Sequence, residues 1–108
     1  MCHYIQISKS NYGQVFMCTG SGKIAMSYKT IAKTYTPESF WEFKNAIDSL
    51  QVEDYFDKFC REEKIYLKTG CKSILFSFSK GEILELRILL EQACFQYALV
   101  TYHKNNQN

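Results

Sequence analysis

Two segments of the chain carry the same succession of features, and this repetition limits the folds open to it. Residues 31–36 match residues 74–79 in character at an offset of 43 residues, and each segment leads into a helix start with an apolar stripe. Upstream, residues 23–26 resemble residues 64–67 at an offset of 41 residues. The sequence therefore predicts two β-β-α units, covering about residues 23–50 and 64–93.

Both predicted helices begin with capping residues. Thr36 precedes a proline and a glutamate, and its hydroxyl is suited to accept from the free amides of a first turn. Ser79 and Glu82 form the spacing of a capping box. We expect the first helix to end at about Leu50 and the second at about Tyr102.

A β-hairpin is predicted ahead of the two units. Residues 2–8 and 15–18 have strand character and are separated by turn residues. We therefore predict one α+β domain over residues 1–108, an antiparallel sheet with helices on one face, and fraying of residues 104–108. Residues 52–60 keep a helical period, which fits a short helix or irregular helical turns.

One strand position departs from the repeat. Lys33 stands where the second unit has Phe76, on a strand whose other alternate positions are Ile31 and Tyr35. Either the lysine extends its charge into water at a sheet edge, or that face of the sheet is open to solvent. The edge interpretation is the simpler of the two, and we expect it.

The composition excludes several classes of protein. With 46% hydrophobic and 16% aromatic residues, the chain has enough apolar mass to form a core, so intrinsic disorder is not expected. It has no signal-like start and no apolar run of the roughly 18 residues that cross a membrane. A net charge of +2 is small for a dedicated nucleic-acid-binding protein. These features predict a cytoplasmic protein.

The five cysteines are an odd set, so at least one of them stays unpaired. In a chain without an export signal, this usage favours reduced thiols over a disulfide framework. The cysteines are Cys2, Cys18, Cys60, Cys71 and Cys94.

Several motifs together resemble a family of short bacterial proteins known only as a domain of unknown function. They are Cys2, the segment Cys18-Thr19-Gly20-Ser21, the strand and helix start from Tyr35 to Phe43, and a closing helix with Glu-Leu-x-x-Leu-Leu-Glu-x-Ala over residues 85–93. The resemblance covers most of the chain. It implies a cytoplasmic α+β protein and implies no activity. Ser21 occupies the position of a second cysteine in that family's pattern.

Zinc is the metal for which the N-terminal residues come closest to a ligand set. Cys2, His3 and Cys18 are thiol and imidazole groups near the ends of the predicted hairpin. Ser21 is a poor zinc ligand, so the set lacks its fourth member. We expect no bound metal and no cofactor, with a structural zinc site that is incomplete here as an alternative.

No set of catalytic residues can be assembled from the sequence. The two histidines, His3 and His103, lie near the ends of the chain, where a general base is poorly held. Cys60 and Cys94 fall on apolar helical stripes, where cysteines are more often structural. We expect a protein that is not an enzyme.

The alternative function is binding of single-stranded nucleic acid on a basic and aromatic face of the sheet. Such a face stacks the bases of single-stranded nucleic acid and binds its phosphates. The residues that would form it are Lys23, Lys29, Lys33, Tyr12, Tyr28 and Tyr35.

The last helix carries two apolar stripes, whereas a helix that lies on a sheet needs one. The first stripe, predicted to face the sheet, comprises Ile83, Leu86, Leu90, Ala93 and Tyr97. The second stripe comprises Leu84, Ile88, Phe95 and Leu99. At about 100° per residue it lies on nearly the opposite side of the helix from the first, so it must meet the first helix, with Trp41 as a candidate neighbour, or a second subunit.

These features together predict a small binding or regulatory module. We expect it to be non-catalytic and to associate as a symmetric homodimer through the second stripe and Trp41. The sequence does not identify a ligand.

Overall fold

The structure, a computed structural model, describes residues 3–50, 64–68 and 74–105. The strands are β1 Tyr4–Lys9, β2 Gly13–Cys18, β3 Ile24–Tyr28, β4 Ile31–Tyr35, β5 Ile65–Lys68 and β6 Leu75–Phe78. The helices are α1 Pro37–Asp48 and α2 Lys80–Asn105. The α+β class is confirmed, and α2 extends three residues beyond the predicted end at Tyr102. The helical segment predicted for residues 52–60 lies outside the described residues.

Strands β1 to β4 form an antiparallel sheet in which each strand pairs with the next along the chain. The turn between β3 and β4 has only two residues, because Tyr28 pairs with Ile31. Lys29 in this turn adopts a φ of 53°, which is unusual for a residue with a side chain. Its amide donates to the Tyr12 carbonyl at 2.8 Å, and its ammonium lies 2.8 Å from Glu82 of α2. Tertiary contacts thus hold this turn in a strained conformation.

Strands β5 and β6 form a separate two-stranded antiparallel sheet, which corrects the prediction of one continuous sheet. In the described part of the chain, β1 and β4 are the two edge strands of the larger sheet, and β4 carries Lys33. The Lys33 ammonium lies 5.0 Å from the ring centre of Tyr35 and 5.7 Å from that of Phe76. A lysine on the edge strand discourages further strand pairing, and its position there agrees with the edge interpretation.

The two predicted units pair their strands in the same register. In the first unit Ile24 pairs with Tyr35, and in the second Ile65 pairs with Phe78, which are the residues that the offsets of 41 and 43 relate. Each unit then continues into a capped helix. The superposition of the two units, and the duplication that it would imply, stay predictions.

The two helix caps are formed as the sequence predicts. The Ser39 amide donates to Thr36 Oγ1 at 3.1 Å at the start of α1. At the start of α2 the Glu82 amide donates to Ser79 Oγ at 3.2 Å, and the Ser79 amide donates to the Glu82 carboxylate at 2.8 Å. Both caps satisfy amides that a helix start leaves unpaired.

The hydrophobic core lies between α2 and one face of the four-stranded sheet. The side chains of Val15, Ile24 and Met26 on that face are buried, whereas the opposite face presents exposed residues such as Gln14 and Thr34. The core residues from the sheets and α1 are Ile7, Val15, Met17, Ile24, Met26, Tyr28, Tyr35, Phe40, Ile47, Ile65 and Phe78. A bulge in β1 between Gln6 and Ser8 turns both Ile7 and Ser8 inward.

Two polar contacts join α2 to the sheet within this core. Ser8 Oγ donates to the Leu89 carbonyl at 2.8 Å, and the Tyr28 hydroxyl donates to Glu85 Oε2 at 3.0 Å. Burial and the neighbouring Glu85 carboxylate raise the pKa of Tyr28 far above its usual range, so this hydroxyl keeps its proton. The contacts fix the position of the helix along and across the strands.

Arg87 of α2 joins the two helices. Its guanidinium donates to the Ile47 carbonyl, with Nε at 3.3 Å and Nη2 at 3.2 Å, and also to the Leu50 carbonyl. These carbonyls lie at the end of α1, where backbone acceptors lack partners within the helix. A positive charge there also interacts favourably with the negative end of the helix dipole.

We predict that Arg87→Ala lowers the free energy of unfolding by about 1.5–3 kcal/mol, because it removes charged hydrogen bonds to the end of α1. Arg87→Lys keeps the charge without the planar guanidinium and should lose about half as much. Urea denaturation measures both changes. Gln96→Ala, an exposed position on the same helix, is the matched control and should stay within about 0.5 kcal/mol of wild type. An Arg87→Ala variant as stable as this control would contradict the capping role.

Candidate interface on the C-terminal helix

The core-facing side of α2 is buried over most of its length. Ile83, Leu86, Leu90 and Ala93 have no exposed surface, and Tyr97 is half-buried. Leu89, which is not a member of the predicted first stripe, is also 0% exposed. It lies about 60° from Leu86 around the helix, so a core stripe somewhat wider than 100° would have included it.

The second stripe of α2 is exposed along its whole length. The exposed fractions are 44% for Leu84, 60% for Ile88, 63% for Phe95 and 39% for Leu99. Tyr102, at 64% exposed, continues the same row and was missed because the prediction ended the helix there. These five side chains, called here the apolar row, fall within about 60° around the helix.

Helix α1 packs against another side of α2. The Trp41 ring lies 5.5 Å from that of Tyr97, a residue of the core-facing stripe, and 5.6 Å from that of Phe40. Tyr97 is about 160° from the centre of the apolar row, so the structure does not bring Trp41 to that row. Within one subunit Trp41 therefore packs on the first stripe, and it is 37% exposed. Its place in an interface with a second subunit stays a prediction.

A shallow cavity of about 590 Å³ adjoins the apolar row. It is lined by Asp48, Arg87, Ile88, Glu91 and Gln92. Glu91 lies 3.3 Å from the Lys44 ammonium, which also pairs with Asp48 one turn along α1. Hydrogen bonding to these carboxylates raises the pKa of Lys44, with Asp48 the larger cause. The charges beside the row are thus of both signs and mutually paired.

The zinc-ligand candidates do not form a metal site in the described residues. Cys18 is disulfide-bonded and buried, which corrects the expectation of reduced thiols at this position, and His3 is exposed. Cys2 lies outside the described residues, as do Cys60 and Cys71. Across residues 3–50, 64–68 and 74–105, no group of three or more His, Cys, Asp or Glu side chains could hold a metal ion.

Cys94 is a free, half-buried thiol on α2. Burial raises its pKa to about 11. The thiolate is the nucleophilic form of cysteine, so this group is almost entirely in its unreactive form at neutral pH.

The basic and aromatic sheet face is not formed. Tyr28 is 1% exposed and Tyr35 is 5% exposed, because both point into the core beneath the helices. Lys29 is paired with Glu82. The alternation of these strands correctly separates two faces, but Tyr28 and Tyr35 belong to the covered one, whereas Tyr12 is 61% exposed between β1 and β2. Rings in this position are not available for stacking on bases.

The uncovered sheet face has a different character. A shallow cavity of about 400 Å³ on this face is lined by Phe16, Ala25, Ser27, Ala32 and Thr34, together with Met26 and Lys33, which alternate with them along the strands. Gln6 Nε2 donates to Gln14 Oε1 at 3.0 Å across neighbouring strands of the sheet. Small and polar residues dominate the face.

None of the helices within the described residues is both long enough and apolar enough to span a bilayer. Helix α2 has the necessary length, with 26 residues, but charged residues are distributed along it.

Of the comparisons with known proteins, one matches nearly the whole chain. Comparison with curated proteins and with solved structures found no match. The model of a family described as a family of unknown function (DUF6686) matches residues 1–107, which confirms the resemblance to a short domain of unknown function. The chain therefore belongs to the DUF6686 family of unknown function.

Proposed function

We propose that this chain is a small, non-catalytic binding module that forms a homodimer through the apolar row of α2. The observation that carries the proposal is the exposure of five large apolar side chains on one side of a helix whose other side packs into the core. Burying such a side chain contributes about 1.5–3 kcal/mol, and contiguous exposed apolar surface is typical of association sites.

The shape of the row suits a second helix. From Leu84 to Tyr102 it runs for about 27 Å along α2, at about 1.5 Å per residue. Helices pack with their axes about 8–10 Å apart along such rows. Polar side chains flank the row, including Glu91 and Gln92, which are both exposed. An apolar centre with a polar rim is the usual composition of a protein interface.

A second copy of the chain is the simplest occupant of this row. Most oligomers of soluble proteins are symmetric, and a two-fold axis buries the same row on both subunits at once. A dimer of this kind covers the row on every copy of the chain without requiring a different protein.

The chemistry of the described nucleophiles supports a role without catalysis. The Cys94 thiol has a pKa raised to about 11, and the sulfur of Cys18 is in a disulfide. His103 lies in the last turn of α2 and His3 is exposed beside β1. A nucleophile activated by a neighbouring base is the minimum for this kind of catalysis, and these groups do not supply it.

We predict that Ile88→Asp weakens the wild-type dimer by at least about a hundredfold in Kd, because a symmetric interface loses two buried side chains and gains two charges. Sedimentation velocity at micromolar concentration measures the change. Circular dichroism of this variant should remain that of the folded chain.

Two further variants make this experiment decisive. Leu90→Asp places a charge in the core, where Leu90 is 0% exposed, and should unfold the chain instead. Gln96→Asp adds the same charge to an exposed position outside the row and should leave both fold and dimer unchanged. A monomeric wild-type protein, or an Ile88→Asp variant that remains dimeric, contradicts the proposed function.

We predict that the purified protein binds well below one zinc ion per chain. Cys18 is in a disulfide and Ser21 lacks a suitable donor, so Cys2, His3 and Cys18 do not complete a four-ligand set. Metal analysis is made before and after reduction, each time following incubation with zinc and dialysis. A value near one zinc per chain in either state argues against the prediction.

We predict that Cys94 is alkylated by iodoacetamide at pH 8 at least about tenfold more slowly in the folded chain than in urea, because burial keeps the thiol protonated. Raising the pH towards its pKa of about 11 should increase the rate in the folded chain. Peptide mass spectrometry follows Cys94 separately from the other cysteines. Equal rates in the folded and unfolded chains would show a reactive thiol.

A further inference from the structure

The residues of the apolar row are spaced symmetrically along α2. Leu84, Ile88, Phe95 and Leu99 are separated by intervals of 4, 7 and 4 residues, so the row reads the same in both directions. Its midpoint falls between Glu91 and Gln92. A row of this kind can be matched layer for layer by a copy of itself that runs in the opposite direction.

We infer that the two subunits pair their α2 helices antiparallel, about a two-fold axis that passes between Glu91 and Gln92. This inference rests on the proposed homodimer and specifies its interface. In this register Leu84 packs on the partner subunit's Leu99, and Ile88 packs on the partner subunit's Phe95. The axis repeats both contacts, giving four apolar layers.

The sizes of the side chains favour this direction over a parallel one. The antiparallel register pairs the large Phe95 with the smaller Ile88 in both inner layers, so those layers have equal widths. A parallel register would place Phe95 on the partner's Phe95 and Ile88 on the partner's Ile88. The helices would then need different separations at the two layers, because the distance between packed helix axes depends on the side chains at the contact.

Gly81 and Tyr102 extend the same symmetry. They lie ten or eleven residues on either side of Glu91 and Gln92, and the register places Tyr102 opposite the partner subunit's Gly81. A Cβ atom at Gly81 would meet nothing within 4 Å, so there is open space at this point of the helix. Tyr102 is 64% exposed and supplies a ring that fits such a space.

Electrostatics agree with the antiparallel direction. Antiparallel helices place the positive end of each helix dipole beside the negative end of the other, whereas parallel helices place like ends together. The register brings the two copies of Glu91 near the axis. Each Glu91 carboxylate lies 3.3 Å from a Lys44 ammonium of its own chain, which offsets their repulsion.

The test mixes two variants that carry opposite charges. Leu84→Lys and Leu99→Glu each place a charge against a leucine in the antiparallel register, so each variant alone should lose at least about a hundredfold in dimer affinity. A 1:1 mixture restores one native leucine pair and creates one Lys–Glu pair, and it should form a heterodimer within about tenfold of the wild-type Kd. Native mass spectrometry identifies the heterodimer by its mass.

A second mixture is the matched control. Leu84→Lys is combined with Ile88→Glu, which the antiparallel register separates by about 16 Å along the helix, at about 1.5 Å per residue. This mixture should stay monomeric. In a parallel register, by contrast, positions 84 and 88 lie about one turn apart, so recovery of this mixture but not of the first would overturn the antiparallel inference.

An exchange of side-chain sizes tests the contact of Tyr102 with the partner subunit's Gly81 independently. Gly81→Trp should weaken the dimer because its ring meets the partner subunit's Tyr102, and adding Tyr102→Ala in the same chain should restore much of the loss. Absence of this rescue contradicts the register.

The outcomes separate this inference from the proposed function. A wild-type monomer overturns both. A wild-type dimer that Ile88→Asp dissociates, but in which neither the Lys–Glu mixture nor the size exchange recovers, overturns the antiparallel register and leaves the dimer through the apolar row standing.

Discussion

The packing of one side of α2 against the rest of the chain is the contact on which the other elements depend. Ile83, Leu86 and Leu90 are completely buried, and the helix contacts β1, β2, β6 and α1. The four-stranded sheet therefore loses the cover of its apolar face if this helix is displaced. Because Ser8 also donates to the Leu89 carbonyl, the helix has a defined position over the strands and not only a buried face.

Features that depend on neighbouring residues were predictable from the sequence. The strands follow the two-residue alternation, and both helix starts follow the capping residues, because these signals act within a few positions of the chain. The separation of β5 and β6 from the larger sheet was not predictable, since it depends on which edges meet in space. The same holds for Tyr28 and Tyr35. Alternation assigns them to one face of the sheet, but only the position of the helices makes that face the core.

The candidate interface could likewise be predicted only in part from the sequence. The apolar row was visible in the sequence as a second stripe at helical spacing, and its exposure could be established only from the structure. The packing of Trp41 on Tyr97 could not be predicted from the sequence, because it depends on the contact of Arg87 with the end of α1. That contact fixes where the two helices meet. It leaves the apolar row uncovered by α1.

The order of the elements also has a consequence for how the chain folds. Strands β1 to β4 each pair with the next strand, so their contacts close short loops and form early. The contact between Ser8 and Leu89 joins residues 81 positions apart and requires most of the chain to be present. During synthesis, the four strands therefore emerge from the ribosome with an apolar face and no helix to cover it. This interval is when the chain is most exposed to aggregation and has most need of a chaperone.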